Sequence, residues 1–128
     1  MSPREDLKTA DSVSCLHAIE HFGLGRYGDP FDPEGHKKGL ANLLKMVSAG
    51  GTLYISVPIG RQNEVHFNAH RVFSPTDILT WCPGMPADLV RFDYIDSARG
   101  VVRDCRPTDI QMSSAYGLGV YTFTKKPT

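Results

Sequence analysis

Two pairs of histidines stand at spacings that are typical of metal sites. The segment His17-Ala18-Ile19-Glu20-His21 matches H-x-x-E-H, in which two histidines bind zinc and the glutamate lies beside the bound water. His66 and His70 form a second pair with three residues between them. The zinc chemistry needs both histidines of the motif on one helix face. Because Phe22-Gly23-Leu24-Gly25 leaves little room for that helix, we predict no metal and keep a metal-binding hydrolase as an alternative.

The first two elements that would position such side chains are a strand and a helix. Ser12 to Leu16 is short and almost uncharged, as a strand buried in a parallel sheet requires. Asp32-Pro33-Glu34 is typical of a helix start. Gly50-Gly51 should end that helix, because glycine accepts the left-handed conformation found at helix ends. The apolar stripe that this helix would bury is Leu40, Leu43, Leu44 and Val47.

A second strand completes a βαβ unit, which favours two parallel strands. It runs from Thr52 to Val57, and Pro58 should stop it. A short helix at the N-terminus is expected from Ser2-Pro3, and another helix should open at Ser74-Pro75 and close near Trp81. We expect Trp81 to belong to the core.

The last two predicted strands follow each other without a helix between them. Leu89 to Ile95 alternates, with Val90, Phe92 and Tyr94 on one face. Gly117 to Thr124 carries apolar residues on both faces, which indicates a position inside the sheet. Two such consecutive strands favour an antiparallel pair at the end of the parallel sheet. The 128 residues are enough for one domain, and we assign 1–128 to it.

Charge and cysteine content argue against several classes of protein. Fourteen basic residues balance fourteen acidic ones, so the charge gives no reason to expect nucleic acid or an anionic membrane as partner. Three cysteines without a C-x-x-C pair favour a reducing compartment over a disulfide framework. Met1 to Ala10 is polar and lacks a signal-peptide core. We therefore expect a soluble, cytoplasmic protein.

Three segments, taken in order, resemble class I S-adenosylmethionine-dependent methyltransferases. Asp11 to His21 resembles the fourth strand of that fold and the Glu-His segment after it. Leu43 to Pro58 resembles the helix that ends in Leu-Lys-Pro-Gly-Gly before the fifth strand, with Ser48-Ala49 in place of Lys-Pro. His70-Arg71-Val72-Phe73-Ser74 resembles the stretch before the next helix. His17 to Pro30 and Phe67 to Phe73 look particularly like the DUF268 branch of this superfamily.

The resemblance implies a truncated Rossmann-like α/β sheet. It should hold about four strands in the order 4-5-7-6, with the last pair antiparallel, and two to three helices. The implied activity is methyl transfer from S-adenosylmethionine to a small molecule or a glycan.

The resemblance also implies the site residues, which lie where open α/β sheets bind ligands, at the carboxyl ends of strands. Backbone groups of Cys15, Leu16 and His17 would face the cofactor. His21 or Glu20 would act as the base that removes a proton from the acceptor, since imidazole titrates near neutral pH. The substrate-binding candidates are Arg26, Tyr27, His70 and Arg71.

The family's glycine-rich cofactor loop and the acidic residue after its second strand are absent from these 128 residues. We therefore expect a remnant, a fragment, or a half completed by a partner, with weak or no cofactor binding alone. The alternative function is that of a non-catalytic partner subunit, which would act through an open edge of the sheet. The strand at 12–16 would then be an apolar edge that a second copy or another chain covers.

Overall fold

A computed structural model describes residues 9–16, 34–60, 64–65, 71–82, 84, 86–96, 100–109 and 116–126. The predicted N-terminal helix lies outside these residues. In chain order the elements are β1 (Ala10–Leu16), α1 (Gly35–Met46), β2 (Val47–Gly60), β3 (Glu64–Val65), β4 (Arg71–Val72), a 3₁₀ helix (Asp77–Thr80), β5 (Ala87–Asp96), β6 (Gly100–Val102), a second 3₁₀ helix (Pro107–Asp109) and β7 (Tyr116–Lys125).

Five of the strands form one mixed sheet in the order β1-β2-β7-β5-β6, and β3 and β4 form a separate antiparallel pair. Strand β1 runs parallel to β2. Strand β7 lies between β2 and β5 and is antiparallel to both, so β2 and β5 run in the same direction. Strands β1, β2 and β5 therefore run in the same direction and end on the same side of the sheet, whereas the central strand, β7, runs in the opposite direction.

This sheet confirms the α/β class and differs from the expected architecture in two respects. The expected order 4-5-7-6 has four strands, whereas the observed order has a fifth, because β6 pairs with the end of β5. We expected two to three helices, and the described residues contain one α-helix and two 3₁₀ helices. The helix expected from Ser74 to Trp81 is the 3₁₀ helix Asp77–Thr80, a single short turn.

The core lies on one face of the sheet, which we call the inner face. Side chains opposite one another across paired strands share a face, and one such row is Cys15, Ile55, Tyr121 and Phe92. All four are at most 9% exposed. Helix α1 adds Leu40 and Leu44 to the same cluster. Gly119 lies in the neighbouring row, where an added Cβ would come within 2.9 Å of Ile59 Cγ2.

The predicted boundary between α1 and β2 was wrong by several residues. The helix ends at Met46, and Val47 begins the strand with extended backbone angles. Val47 is fully buried, but as a strand residue opposite Ala10 and not as part of the helical stripe. Pairing with β1 therefore overrides the helical pattern. Gly50 has a φ of 79° within the extended segment.

Pro58 does not stop β2, which continues to Gly60. Proline lacks an N–H group but keeps its carbonyl oxygen, which here accepts a hydrogen bond from Phe73 N at 3.1 Å. Gly60 N then donates to Phe73 O at 2.8 Å. The extension places Phe73, which follows β4, against the end of β2.

Trp81 belongs to the core, as expected, and is 4% exposed. Its indole N–H donates to Asp77 Oδ2 at 2.7 Å. Its ring lies against His36 and Phe73, with centroids 4.7 Å away in each case. This aromatic cluster fixes the 3₁₀ helix to α1.

The alternation predicted that Val90 shares a face with Phe92 and Tyr94, and this prediction was wrong. The register of β5 against β7 shifts between Leu89 and Arg91, so Val90 lies at the irregularity and is 56% exposed. Leu89, which is half-buried, packs against the core instead. A bulge of this kind inserts an extra residue and interrupts the alternation, so a pattern of period two does not predict its position.

Candidate functional site at the carboxyl edge of the sheet

The edge at which the parallel strands end is the natural place for a site in this fold. Strand β1 ends there at Leu16, β2 at Gly60 and β5 at Asp96, while β7 begins there at Tyr116. The pairs Gly60↔Tyr116 and Ile95↔Leu118 place the ends of β2, β7 and β5 side by side. Leu16 pairs with Ser56, four residues before the end of β2. We call this region the carboxyl edge.

Two of the expected cofactor residues, Cys15 and Leu16, lie at the end of β1. Cys15 is 9% exposed and its side chain belongs to the core cluster, so a ligand could reach only its backbone. Leu16 lies opposite Ser56 and is 59% exposed. Leu16 therefore offers apolar surface directly at the carboxyl edge.

Most of the other expected site residues lie outside the described part of the chain. These are His17, Glu20, His21, Arg26, Tyr27 and His70. Arg71 is described as the first residue of β4, where it pairs with Val65. Its backbone stands two residues before Phe73, which hydrogen-bonds to the end of β2. This segment of chain therefore reaches the carboxyl edge.

Sequence reasoning missed two polar residues near this edge. Asp96 is fully buried at the end of β5, and Ser56 is 2% exposed on β2 opposite Leu16. The signal for Asp96 was present in the sequence, because a carboxylate directly after an alternating apolar strand stands at a strand end. Ser56 gave no such signal, since a serine within a strand is common. A buried carboxylate requires polar partners or a functional reason for its position.

The face opposite the core, which we call the outer face, carries exposed apolar side chains. Leu16, Tyr54, Ile95 and Val101 are 59%, 40%, 41% and 57% exposed. Ile95 and Val101 are direct partners across β5 and β6. Three of the four strand pairs of this sheet are antiparallel, and antiparallel sheets commonly leave one face open to solvent.

An ionic contact on the outer face joins Arg91 and Asp93. Arg91 Nε lies 3.0 Å from Asp93 Oδ2, and the backbone N–H of Asp104 donates to Asp93 Oδ1 at 2.8 Å. Burial acts to raise the pKa of Asp93, but the Arg91 hydrogen bond, the Asp104 N–H and the charges of Arg91 and Arg103 outweigh it. The net result is a pKa below the usual value. This carboxylate is held ionised for a structural role.

The described residues contain no cluster of three or more metal-ligating side chains. The H-x-x-E-H segment, His66 and His70 are not among them, so the metal-binding alternative stays a prediction. No helix in the described ranges is long and apolar enough to cross a membrane.

Comparison with known proteins identifies a family and a fold. The family model described as "Caenorhabditis protein of unknown function, DUF268" matches residues 4–100. Among solved structures, the crystal structure of the [4+2]-cyclase SpnF is similar, with a TM-score of 0.59 and 9% sequence identity. The match covers 94% of this chain and 52% of the SpnF chain, so this chain spans about half of that protein. No curated protein matches.

Proposed function

Since this chain belongs to the DUF268 family, we propose that it is a methyltransferase-like domain whose reaction is methyl transfer from S-adenosylmethionine to a small molecule or a glycan. The observation that carries the proposal is the position of β7. This last strand lies antiparallel between β2 and β5, so that the sheet resembles that of class I methyltransferases. The DUF268 description assigns no activity, and the likeness to SpnF at 9% identity supports the fold alone.

S-adenosylmethionine would supply an activated methyl group at the carboxyl edge. Leu16 fits such a ligand, because its exposed side chain can pack against an adenine ring. Cys15 can contribute only backbone groups, since its side chain lies in the core. His17, the third residue expected to face the cofactor, follows directly in the chain.

The acceptor would be activated by residues that follow β1. We propose that His21 or Glu20 removes the proton from the acceptor hydroxyl. Arg26, Tyr27, His70 and Arg71 would bind the acceptor, and the path of β4 beside the end of β2 supports this role for Arg71. Polar and cationic side chains of this kind suit a sugar or a carboxylate substrate.

Titration of the purified chain with S-adenosylhomocysteine tests the cofactor part of the proposal. We expect saturable but weak binding, because the glycine-rich cofactor loop is not among these 128 residues. We expect Leu16→Lys to weaken it by about a further tenfold, because a charged side chain replaces apolar contact. Val101→Lys is the matched control. Val101 is 57% exposed on the other edge strand of the sheet, so the same charge is added away from the end of β1. Isothermal titration calorimetry gives both affinities.

Two outcomes would contradict this proposal. A folded chain that shows no saturable binding would contradict the cofactor part and favour a non-catalytic role. Equal weakening by Leu16→Lys and Val101→Lys would show that the end of β1 is not the binding region. Circular dichroism of each variant separates loss of binding from loss of fold.

The second candidate function is that of a non-catalytic partner subunit, and the edge position of β1 favours it. Among the described residues β1 pairs only with β2. Its sequence, Ala10–Leu16, contains no lysine or proline, the residues that commonly protect an edge strand from pairing. Addition of a strand from another chain would satisfy the outward backbone groups of β1.

A further inference from the structure

A cleft lies at the end of the sheet opposite the carboxyl edge, where β7 ends. Its volume is about 210 Å³. The lining residues are Ala41, Leu44, Lys45, Cys82, Pro86 and Lys125. Lys125 ends β7, whose first residue stands at the carboxyl edge. A strand of this length spans about 30 Å, so the cleft is separate from the site of the proposed methyl transfer.

The walls of the cleft are tied to one another by hydrogen bonds. Ala41, Leu44 and Lys45 share one face of α1 by their spacing of three and four residues. Cys82 Sγ donates to Lys37 O of the same helix at 3.9 Å. Lys126 N donates to Pro86 O at 2.8 Å, which joins the opposite wall to the end of β7. The cleft is thus lined by residues from α1, from the segment after the first 3₁₀ helix and from β7, which these contacts join.

The lining of the cleft is almost entirely apolar, and two lysines, Lys45 and Lys125, are among the residues that form it. Lys125 Nζ donates to Val47 O at 2.8 Å, just past the end of α1, which leaves its other two N–H bonds for a ligand. Neither Lys45 nor Lys125 forms an ion pair within the described ranges. The carboxyl end of a helix carries only about half a negative charge, so the two lysines leave the cleft net positive.

We propose that this cleft binds a small carboxylate with an apolar body, such as a medium-chain fatty acid. The alkyl chain would lie against Ala41, Leu44 and Pro86, and the carboxylate would meet Lys45 and Lys125. The volume is below the range of about 300–1,000 Å³ that drug-sized ligands occupy, which restricts the ligand to a small one. The proposal does not depend on methyltransferase activity, since the cleft is remote from the carboxyl edge.

Protection of cysteines from alkylation tests the proposal with an internal control. Cys82 lines the cleft, whereas Cys105 is a half-buried thiol beside Phe92 O, 3.6 Å from it. Burial raises the pKa of Cys82, so the reaction with iodoacetamide is run at mildly alkaline pH. We expect octanoate to slow alkylation of Cys82 and to leave Cys105 unchanged, as measured by peptide mass spectrometry.

The charge requirement is tested with ligands and variants that differ only in charge. Octan-1-ol should protect Cys82 less than octanoate, and octylammonium should not protect it. Lys45→Met should weaken octanoate binding by about twofold to fivefold, as one partly exposed ion pair implies. Lys38→Met removes the same charge from α1 at an exposed position outside the lining, about two helical turns before Lys45, and should leave binding unchanged.

Three results would overturn the proposal. The first is no protection of Cys82 at saturating octanoate. The second is equal slowing at Cys82 and Cys105, because octanoate would then act on the whole fold. The third is equal protection by octanoate and octan-1-ol, which would leave an apolar cleft that does not select an anion.

Discussion

Tyr121 carries a hydroxyl group into the centre of the core. Its side chain is fully buried, and its hydroxyl donates to Pro75 O at 2.6 Å. Burial, with a smaller contribution from the negative charge of Asp77, raises the pKa of this phenol far above its ordinary value of 10.0. The folded chain therefore holds Tyr121 neutral at a pH where the unfolded chain would ionise it.

This burial predicts a specific loss of stability in alkali. A raised pKa in the folded state stabilises the fold fully below the ordinary value, and the contribution is lost as the pH rises above about 10, by up to about 1.4 kcal/mol per pH unit. Tyr121→Phe lacks the ionisable group, and at neutral pH it should lose about 1 kcal/mol with the hydrogen bond. The two free energies of unfolding, measured in urea, should converge with rising pH. Parallel pH profiles would contradict the prediction.

The sequence predicted the burial of individual apolar residues better than that of polar ones. Trp81, Leu40 and Leu44 are buried as their spacing indicated, because helical and strand periodicity report burial directly. Asp96 and Ser56 were missed, because burial of a polar residue depends on neighbours that are distant in sequence. Only Cys15 and Leu16 of the expected ligand-facing residues have described side chains, and only Leu16 offers its side chain to solvent.

Helix α1 depends on a lysine from the far end of the chain. Lys125 Nζ, half-buried on β7, donates to the carbonyl of Val47 at the residue that follows the helix. Cations near a helix carboxyl end offset its partial negative charge. The neighbouring Lys126 is exposed and lies 4.0 Å from Asp88, a contact between solvent-exposed groups.

The two neighbouring lysines form a matched pair for measurement. Lys125→Met should lower the free energy of unfolding by about 0.5–1 kcal/mol, because the helix end loses a charged donor. Lys126→Met should change it by less than about 0.5 kcal/mol, as exposed ion pairs contribute little. Chemical denaturation of both variants at low salt gives the comparison. Equal effects would show that the contact with Val47 does not stabilise the helix.

The long strands were predictable, and their ends were not. Strands β1, β2, β5 and β7 each contain the stretch that the sequence indicated, since their apolar patterns are continuous. The end of α1, the course of β2 past Pro58 and the bulge at Val90 all depend on pairing with other strands. Strand β6 has three residues, too few for any pattern.

At the scale of the whole molecule, the sheet has two edges of different character. At one, β6 contributes three residues that pair with β5. At the other, β1 contributes seven residues without lysine or proline. A net charge of zero adds little repulsion between copies. Because short edge strands oppose pairing with another chain, the longer edge strand, β1, is the one that favours association.

We therefore predict that the chain associates through β1. Analytical ultracentrifugation should show a dimer at high concentration. Ser14→Lys should shift it to the monomer, because a charge on an exposed edge strand opposes pairing with a second strand. Val101→Lys, on the other edge, should leave the dimer intact. A monomer at all concentrations, or loss of the dimer only in Val101→Lys, would contradict this prediction.

The central place of β7 has a consequence for the order in which the protein can assemble. Of the five strands of the main sheet it comes last in the chain, yet it joins β2 to β5. Until β7 leaves the ribosome, β1 and β2 can pair, as can β5 and β6, but the two halves share no strand. Closing the sheet requires contacts between residues about sixty positions apart, which is slow because the intervening chain must be ordered. During synthesis, therefore, the facing edges of β2 and β5 lack the partner that they share in the folded sheet until the ten-residue strand β7 fills the gap between them.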